Sequence, residues 1–182
     1  MSYPNGQTST VVSGTPAESD VGTIVVAITA SDNIGGTFTG SFSLRIDATP
    51  TSTTITAPSA QEGHAYTYTI PATHFDDADC TDTLTYSQIT LPNWVSFTAG
   101  TINIAGTPAA ANIGSNSVTI RATDNLGAYN QPTFTVTVVP NNPPTITTIP
   151  DQVAFPTTVY SLDVSSYFAD ADGDTLLYTG DA

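Results

Sequence analysis

The sequence predicts an all-β protein made of tandem β-sandwich units. Apolar and hydroxyl-bearing residues alternate with a period of two over short segments, and no segment of useful length has the spacing of an amphipathic helix. The sequence also repeats itself, because residues 14–46 align with residues 106–138 without a gap, at an offset of 92. An internal period of this kind indicates one folded unit per repeat.

The complete unit is expected to contain roughly seven short strands, the number found in an immunoglobulin-like sandwich. These segments are rich in Thr, Val, Ile and Tyr, as a pleated and half-buried surface favours. Trp94 is expected to fill the core, because it lies in an apolar alternating run. The clearest segments are residues 65–70, 84–89, 94–97, 101–104, 117–122 and 134–138.

The repeat divides the chain into three parts. Residues 1–50 are expected to form the second half of one unit, residues 51–141 a complete unit, and residues 142–182 the first half of a third. A half sandwich alone exposes apolar faces and unpaired strand edges. We therefore expect each half to be completed either by neighbouring repeats of a longer array or by copies of the chain assembled head to tail.

The charge is strongly one-sided. Sixteen acidic residues face two basic residues, Arg45 and Arg121, and the formal net charge is -14. Nucleic acids and anionic membranes select basic patches, so neither is an expected partner. No apolar run is long enough to span a bilayer. Cys80 is the single cysteine, which excludes a disulfide within the chain.

Aspartates concentrate in two similar turns, residues 75–82 and 168–174, which hold seven of the fourteen in the chain. Clustered carboxylates repel one another unless a cation neutralises them. Oxygen ligands at alternating positions suit a hard divalent ion such as calcium. A solvated acidic turn before a strand is the alternative interpretation of one such turn, and the second copy makes it weaker.

Several short motifs give the chain a resemblance to cadherin-like repeats, and most closely to the dystroglycan-type cadherin-like and immunoglobulin-like domains of large surface proteins. The resemblance covers the whole chain, and it implies a row of sandwich domains with calcium at each joint between them. The motifs are Asn-Pro-Pro at 142–144, Glu-Gly at 62–63, Asp-Ala-Asp-Gly-Asp followed by Thr-Leu-x-Tyr at 170–178, Leu-Pro-x-Trp at 91–94, Gly-Thr-Pro at 106–108 and Ala-Thr-Asp-Asn-x-Gly at 122–127.

The resemblance also implies a set of calcium ligands. At the first joint, which contains the linker 47–50, the matching residues are Glu18, Asp20, Asp47, Asp77, Asp79 and Asp124, with Asp82 as a further candidate. At the second joint, which contains the linker 140–144, they are Glu62, Asn142, Asp170 and Asp172, with Asn141 and Asp174 as further candidates.

The chain departs from the family pattern in its linkers. The acids of the second linker are replaced by Asn141 and Asn142, and the acidic pair upstream of that joint is reduced to Asn112. Fewer anionic ligands hold fewer or weaker ions. The expectation is one or two ions at the first joint and at most one at the second.

The function expected from these observations is that of an extracellular structural or adhesive protein, a rod or filament stiffened by calcium, with cell-surface or matrix components as partners. The alternative is a spacer or carbohydrate-binding module of a larger secreted enzyme or bacterial adhesin, with Tyr66, Tyr68, Tyr129 and Tyr160 as a candidate sugar platform. Catalysis is disfavoured, because neither His64 nor His74 has an evident nucleophile nearby in sequence.

Overall fold

The computed structural model describes residues 11–32, 34–79 and 83–180, and within them the protein is all-β, as predicted. Five single-turn 3-10 helices are the only helical segments of that part of the chain. The strands are β1 (Gly22–Ser31), β2 (Thr37–Ile46), β3 (Thr51–Ser52), β4 (Ala60–Gln61), β5 (Tyr66–Thr69), β6 (Phe75–Asp76), β7 (Thr85–Thr90), β8 (Val95–Thr98), β9 (Asn103–Gly106), β10 (Gly114–Thr123), β11 (Tyr129–Asn130), β12 (Thr133–Val139), β13 (Thr145–Ile146) and β14 (Phe168–Ala169). The 3-10 helices span Glu18–Asp20, Ala72–His74, Ala99–Thr101, Ala110–Asn112 and Ser165–Tyr167.

The middle of the chain folds as two sheets that enclose a core. One sheet has the order β11-β10-β12-β4, with β7 also paired to β10, and the second sheet has the order β5-β9-β8. All these pairs are antiparallel except β12 with β4, which run parallel. The buried cluster consists of Ile55, Ala60, Tyr66, Ile70, Phe75, Ile102, Ile104, Val118, Ile120, Ala122, Phe134, Val136 and Val138.

Strand β12 shows why these residues form a sheet with one buried face. Phe134, Val136 and Val138 are buried, while the threonines between them are exposed. Successive side chains of a strand point to opposite faces, so this alternation buries every apolar residue and leaves the hydroxyls in water. The period of two that predicted the strand therefore also fixes which face meets the core.

Trp94 packs against this core at its edge. Its ring meets Tyr66 edge to face, with centroids 5.8 Å apart, and its indole N–H donates to Asn116 Oδ1 at 3.0 Å. The apolar part of the ring is covered while its one donor is satisfied, which is the usual arrangement for a half-buried tryptophan.

Strands β1 and β2 form a hairpin with the same register as β10 and β12. Gly22 pairs with Ile46 in the first hairpin, and Gly114 pairs with Val138 in the second. The second hairpin gains β7 and β4 at its edges, but β1 and β2 pair only with each other in the described structure. The face of the first hairpin that corresponds to the core therefore leaves Ile24, Phe38, Phe42 and Leu44 exposed.

A second local arrangement also occurs twice. The short pair β3 and β6 aligns Ser52 with Phe75, and the short pair β13 and β14 aligns Ile146 with Phe168. Each phenylalanine then meets a tyrosine edge to face, Phe75 with Tyr86 and Phe168 with Tyr178. These two pairs bring the two acidic turns, which follow β6 and β14, next to the linkers that precede β3 and β13.

Candidate cation sites at the two joints

The first joint assembles carboxylates from three separate segments. Asp47 follows β2 in the linker, Asp77 and Asp79 follow β6, and Asp124 follows β10. The linker amide of Ala48 donates to Asp79 Oδ2 at 2.8 Å, which fixes the acidic turn against the linker. Within the turn, the amide of Asp79 donates to Asp77 Oδ1 at 2.9 Å.

The two carboxylate oxygens of Asp124 have different roles. Its Oδ1 accepts hydrogen bonds from the amides of Leu126, Gly127 and Ala128 at 2.7–3.0 Å, which closes the turn after β10. Asp32 accepts the amides of Ile34 and Gly36 in the same way after β1. The other oxygen, Asp124 Oδ2, is buried and has no hydrogen-bond partner among the described residues.

Two more buried carboxylate oxygens of the first joint lack hydrogen-bond partners in the described part of the chain, namely Asp47 Oδ1 and Asp77 Oδ2. A buried carboxylate oxygen without a partner is costly, and native structures satisfy nearly all such groups. The three oxygens come from the linker, the acidic turn and the turn after β10. Oxygen donors of this kind are what calcium prefers, so the residues present fit the ion that the resemblance implies.

The electrostatics of the first joint show how closely the carboxylates approach. Partial burial, together with the negative charges of Asp124 and Asp79, raises the pKa of Asp47 above 3.8. The amide of Ala48 lowers the pKa of Asp79, and Arg45 lowers it further. The Nη2 atom of Arg45 lies 3.6 Å from Asp47 Oδ1 and 3.6 Å from Asp79 Oδ2.

The structure places the two upstream candidates at the base of the first hairpin. Glu18 lines a surface cavity of about 370 Å³ together with Arg45 and Asp47, on the side of the joint facing that hairpin. Asp20 Oδ2 instead accepts the amide of Ala17 at 3.0 Å, inside its own 3-10 turn. Asp47, Asp79 and Asp124 are thus brought within electrostatic reach of one another, whereas the carboxylate of Asp20 takes part in a local cap.

The second joint also brings three carboxylates together. One oxygen each of Asp170, Asp172 and Asp174 lies within 4.8 Å of the others. Asp172 also accepts two hydrogen bonds from the linker residue Asn142, from its amide at 2.6 Å and its side-chain nitrogen at 3.0 Å. The Asn142 amide lowers the pKa of Asp172.

His64 joins the second site from the middle unit, although no sequence pattern assigned it a role there. Its Nε2 hydrogen-bonds to Asp174 Oδ1, and this contact raises the pKa of His64. Glu62 lies beside it, with Oε2 accepting the amide of Asn141 at 3.3 Å. His64 and Asp174 are 110 residues apart, so no local pattern could have paired them.

The two joints therefore satisfy their carboxylates differently. At the second joint, the carboxylates of Asp172, Asp174 and Glu62 accept hydrogen bonds from N–H groups of Asn142, His64 and Asn141, respectively. None of the second joint's carboxylates is among the buried oxygens without a partner in the described ranges, whereas three from the first joint are. Asp82 and Cys80 lie outside the described residues.

The comparisons with known proteins agree with this fold. The family model described as "Putative Ig domain" matches residues 49–139, which is half of the chain. The chain belongs to this immunoglobulin-domain family, which confirms the predicted resemblance.

Among curated relatives, the chain is similar to the "Serine-rich adhesin for platelets" of Staphylococcus aureus. In strain MRSA252 the identity is 39% over 72 residues, covering 40% of this chain and 5% of the adhesin. In strain USA300 the identity is the same, and the match covers 3% of the adhesin. The chain thus spans only a small part of the length of these relatives.

Two solved structures show more distant similarity. An endo-fucoidan hydrolase of glycoside hydrolase family 107 matches at 20% identity with a TM-score of 0.45, over 78% of this chain and 23% of that chain. Protocadherin gamma B7, extracellular cadherin domains 1–4, matches at 18% identity with a TM-score of 0.41, over 73% and 37% respectively. Within the described residues no helix is both long and apolar enough to cross a bilayer.

Proposed function

We propose that this chain is a segment of an extracellular structural or adhesive rod of tandem immunoglobulin-like repeats, whose joints are stiffened by calcium. The three buried carboxylate oxygens without hydrogen-bond partners at the first joint carry this proposal. They belong to Asp47, Asp77 and Asp124, which lie in the linker and in two turns of the following unit.

The mechanism follows from where these residues lie. An ion shared by the linker and the next unit couples their orientation, because moving either would separate ligands from the charge that binds them. Without the ion the carboxylates repel one another. Burial first, and then the charges of Asp124 and Asp79, raise the pKa of Asp47. Calcium would therefore limit the angle and flexibility of the joint.

The tandem arrangement is supported by two local structures that occur twice. The hairpins β1–β2 and β10–β12 share one register at an offset of 92 residues. In both joints a linker amide donates to the second aspartate of an Asp-Ala-Asp segment in the acidic turn, Ala48 to Asp79 and Asn142 to Asp172. We propose units at residues 1–50, 51–141 and 142–182, the middle one being complete.

The uncovered apolar face of the first hairpin supports a further element of this proposal. Its aligned partner in the middle unit, including Val118, Phe134 and Val136, is covered by the sheet β5-β9-β8 and buried. We propose that the complementary half of another repeat covers the first hairpin, either from a neighbouring repeat or from a second copy bound head to tail. Similarity to a staphylococcal adhesin supports a cell-surface location, with surface or matrix components as partners.

The alternative of a carbohydrate-binding module has less support in the structure. Tyr66 is buried, and the hydroxyl groups of Tyr66 and Tyr68 donate to the carbonyls of Pro58 and Thr56. Of the four tyrosines considered as a sugar platform, these two are engaged in the core region, and Tyr129 and Tyr160 remain half exposed. A platform of stacked aromatic rings would need more rings on one face than this.

The test is the calcium response of the chain. We expect calcium at about 100 times its dissociation constant to stabilise the protein by about 2.7 kcal/mol, and therefore to raise Tm by several degrees. The radius of gyration from small-angle X-ray scattering should change when calcium is removed with a chelator, because the joints lose their stiffness.

Matched variants show which joint is responsible for the calcium response. Asp77→Asn combined with Asp124→Asn removes two charges but keeps an oxygen at each position, so the turn after β10 can still form. This pair should reduce the calcium response at the first joint, and Asp170→Ala with Asp172→Ala should reduce it at the second. Asp151→Asn, an exposed residue outside both joints, is the charge control. An unchanged Tm and radius of gyration of the wild-type chain on adding calcium would contradict the proposal.

A further inference from the structure

We propose that Arg45 is a built-in cation of the first joint, which takes the place of one metal ion and keeps this joint assembled without calcium. The inference rests on the proposed function of the joints and concerns how their dependence on calcium differs. If Arg45 has this role, the first joint needs fewer calcium ions to stay assembled than its number of carboxylates would suggest.

The position of Arg45 carries the inference. It lies on β2 in the first unit, and one of its guanidinium nitrogens is 3.6 Å from both Asp47 in the linker and Asp79 in the next unit. A single cationic group thus touches carboxylates on both sides of the joint. The side chain of Asp79 is only 7% exposed, so its charge depends on neighbouring donors and cations more than a surface carboxylate would.

The contacts also divide the joint into two parts. Asp79 Oδ2 receives both the Ala48 amide and the charge of Arg45. The buried oxygens Asp77 Oδ2 and Asp124 Oδ2 have no hydrogen-bond partner among the described residues. Arg45 therefore supplies positive charge at Asp47 and Asp79, and a metal ion that joins the linker to Asp77 and Asp124 must share Asp47 with it.

The composition makes this placement informative. The chain has two arginines, no lysine and sixteen acidic residues. The other arginine, Arg121, lies over the ring of Tyr129, 4.2 Å from its centroid. The residue of the middle unit that aligns with Arg45 is Thr137, so the second joint has no arginine at the equivalent position, and Asn142 and His64 contact its carboxylates instead.

The distances describe an ion pair and not a directed hydrogen bond, because 3.6 Å exceeds the range of a hydrogen bond. Calcium binding at this joint must therefore compete with a positive charge that is already present.

The decisive measurement is protection of the Ala48 amide from hydrogen exchange, followed by NMR on the full chain in the presence of a chelator. This amide donates to Asp79, so its protection reports whether linker and turn remain joined. We expect wild type to keep Ala48 protected in chelator. Arg45→Gln should lower that protection about three- to fivefold, and calcium should restore it.

Two further variants control the experiment. Arg45→Lys keeps the charge and should retain most of the protection. Arg121→Gln removes the same charge elsewhere and should leave Ala48 unaffected. The calcium affinity of the first joint, measured by titration calorimetry, should increase in Arg45→Gln, because the competing charge is gone.

The outcomes separate this inference from the proposed function. Unchanged Ala48 protection in Arg45→Gln would overturn the role of Arg45, even if calcium raised Tm in both proteins. Loss of protection in Arg45→Gln without any calcium binding by either protein would support Arg45 as the cation of the joint, and would overturn the calcium function instead. Equal loss of protection in Arg45→Gln and Arg121→Gln would also overturn the inference, because it would reflect net charge alone.

Discussion

The aspartates of this protein have different roles although their side chains are chemically identical. Asp32 and Asp124 organise turns by accepting backbone amides, and only Asp124 also directs an unpaired buried oxygen toward a joint. Asp47 and Asp79 lie in the same joint, yet their pKa values move in opposite directions. The difference arises because Asp79 receives an amide donor while Asp47 faces burial and other carboxylates.

These opposite shifts predict how the stability of the calcium-free chain depends on pH. The pKa of Asp47 is raised, so the folded state binds its proton more tightly than the unfolded state, and the free energy of unfolding rises as pH falls through the folded pKa toward 3.8. The pKa of Asp79 is lowered, so its contribution is present above 3.8 and is lost as pH falls through the folded pKa.

Asp47→Asn isolates the first effect. The difference between wild-type and variant unfolding free energies, measured by urea denaturation in chelator from neutral pH to about pH 4, should change in favour of wild type as pH decreases. Groups that do not interact with Asp47, such as His64, contribute equally in both proteins and cancel, so the difference reports Asp47 together with its coupled neighbours Asp79 and Asp124. A difference that stays constant with pH would show that Asp47 is not perturbed.

At the scale of elements, a glycine determines how two strands approach each other. Gly106 ends β9, where it pairs with Tyr66 of β5 on one side and Val95 of β8 on the other. A Cβ atom at this position would lie 1.8 Å from the backbone carbonyl oxygen of Trp94. No side chain fits there without moving the backbone, which explains why the Gly-Thr-Pro motif requires its glycine in the middle unit.

The prediction is that Gly106→Ala destabilises the chain by at least about 2 kcal/mol, through displacement of Trp94 and the turn that leads into β8. Gly100→Ala is the matched control, because a Cβ there meets nothing within 4 Å and the residue has no positive φ. Chemical denaturation of both variants gives the comparison. Equal stability of the two variants would mean that β8 and β9 adjust without cost.

At the scale of the whole molecule, the main feature is an unequal covering of equivalent surfaces. The hairpin β10–β12 is buried under a second sheet, whereas the equivalent face of β1–β2 exposes 46% of Phe42 and 37% of Leu44. Contiguous exposed apolar surface usually marks a site of interaction. The charge of -14 opposes non-specific association, which favours a specific complementary partner.

Phe42→Asp is therefore expected to reduce concentration-dependent association of the chain, measured by sedimentation velocity. Val25→Asp introduces the same charge on the opposite face of the hairpin, where Val25 is 70% exposed, and should have a smaller effect. If both variants associate as strongly as wild type, the hairpin face is not the contact surface.

Much of the fold could be predicted because its signals are local. Alternation along residues 134–138 identified β12 and its buried face, and the segments at 65–70 and 84–89 correspond to β5 and β7 within one or two residues. Periodicity reports the exposure of neighbouring residues along one strand. It carries no information on which strands pair, so the parallel contact of β12 with β4 was not foreseen.

The sequence by itself determined the all-β class, the internal period of 92 residues and the two acidic turns, because composition, alternation and repetition are properties of the chain read in order. Only the tertiary structure decided which charges meet. Arg45 reaches Asp79, and His64 reaches Asp174, because strand pairing folds distant segments onto the same joint. These contacts depend on distance in space, which a linear pattern does not encode.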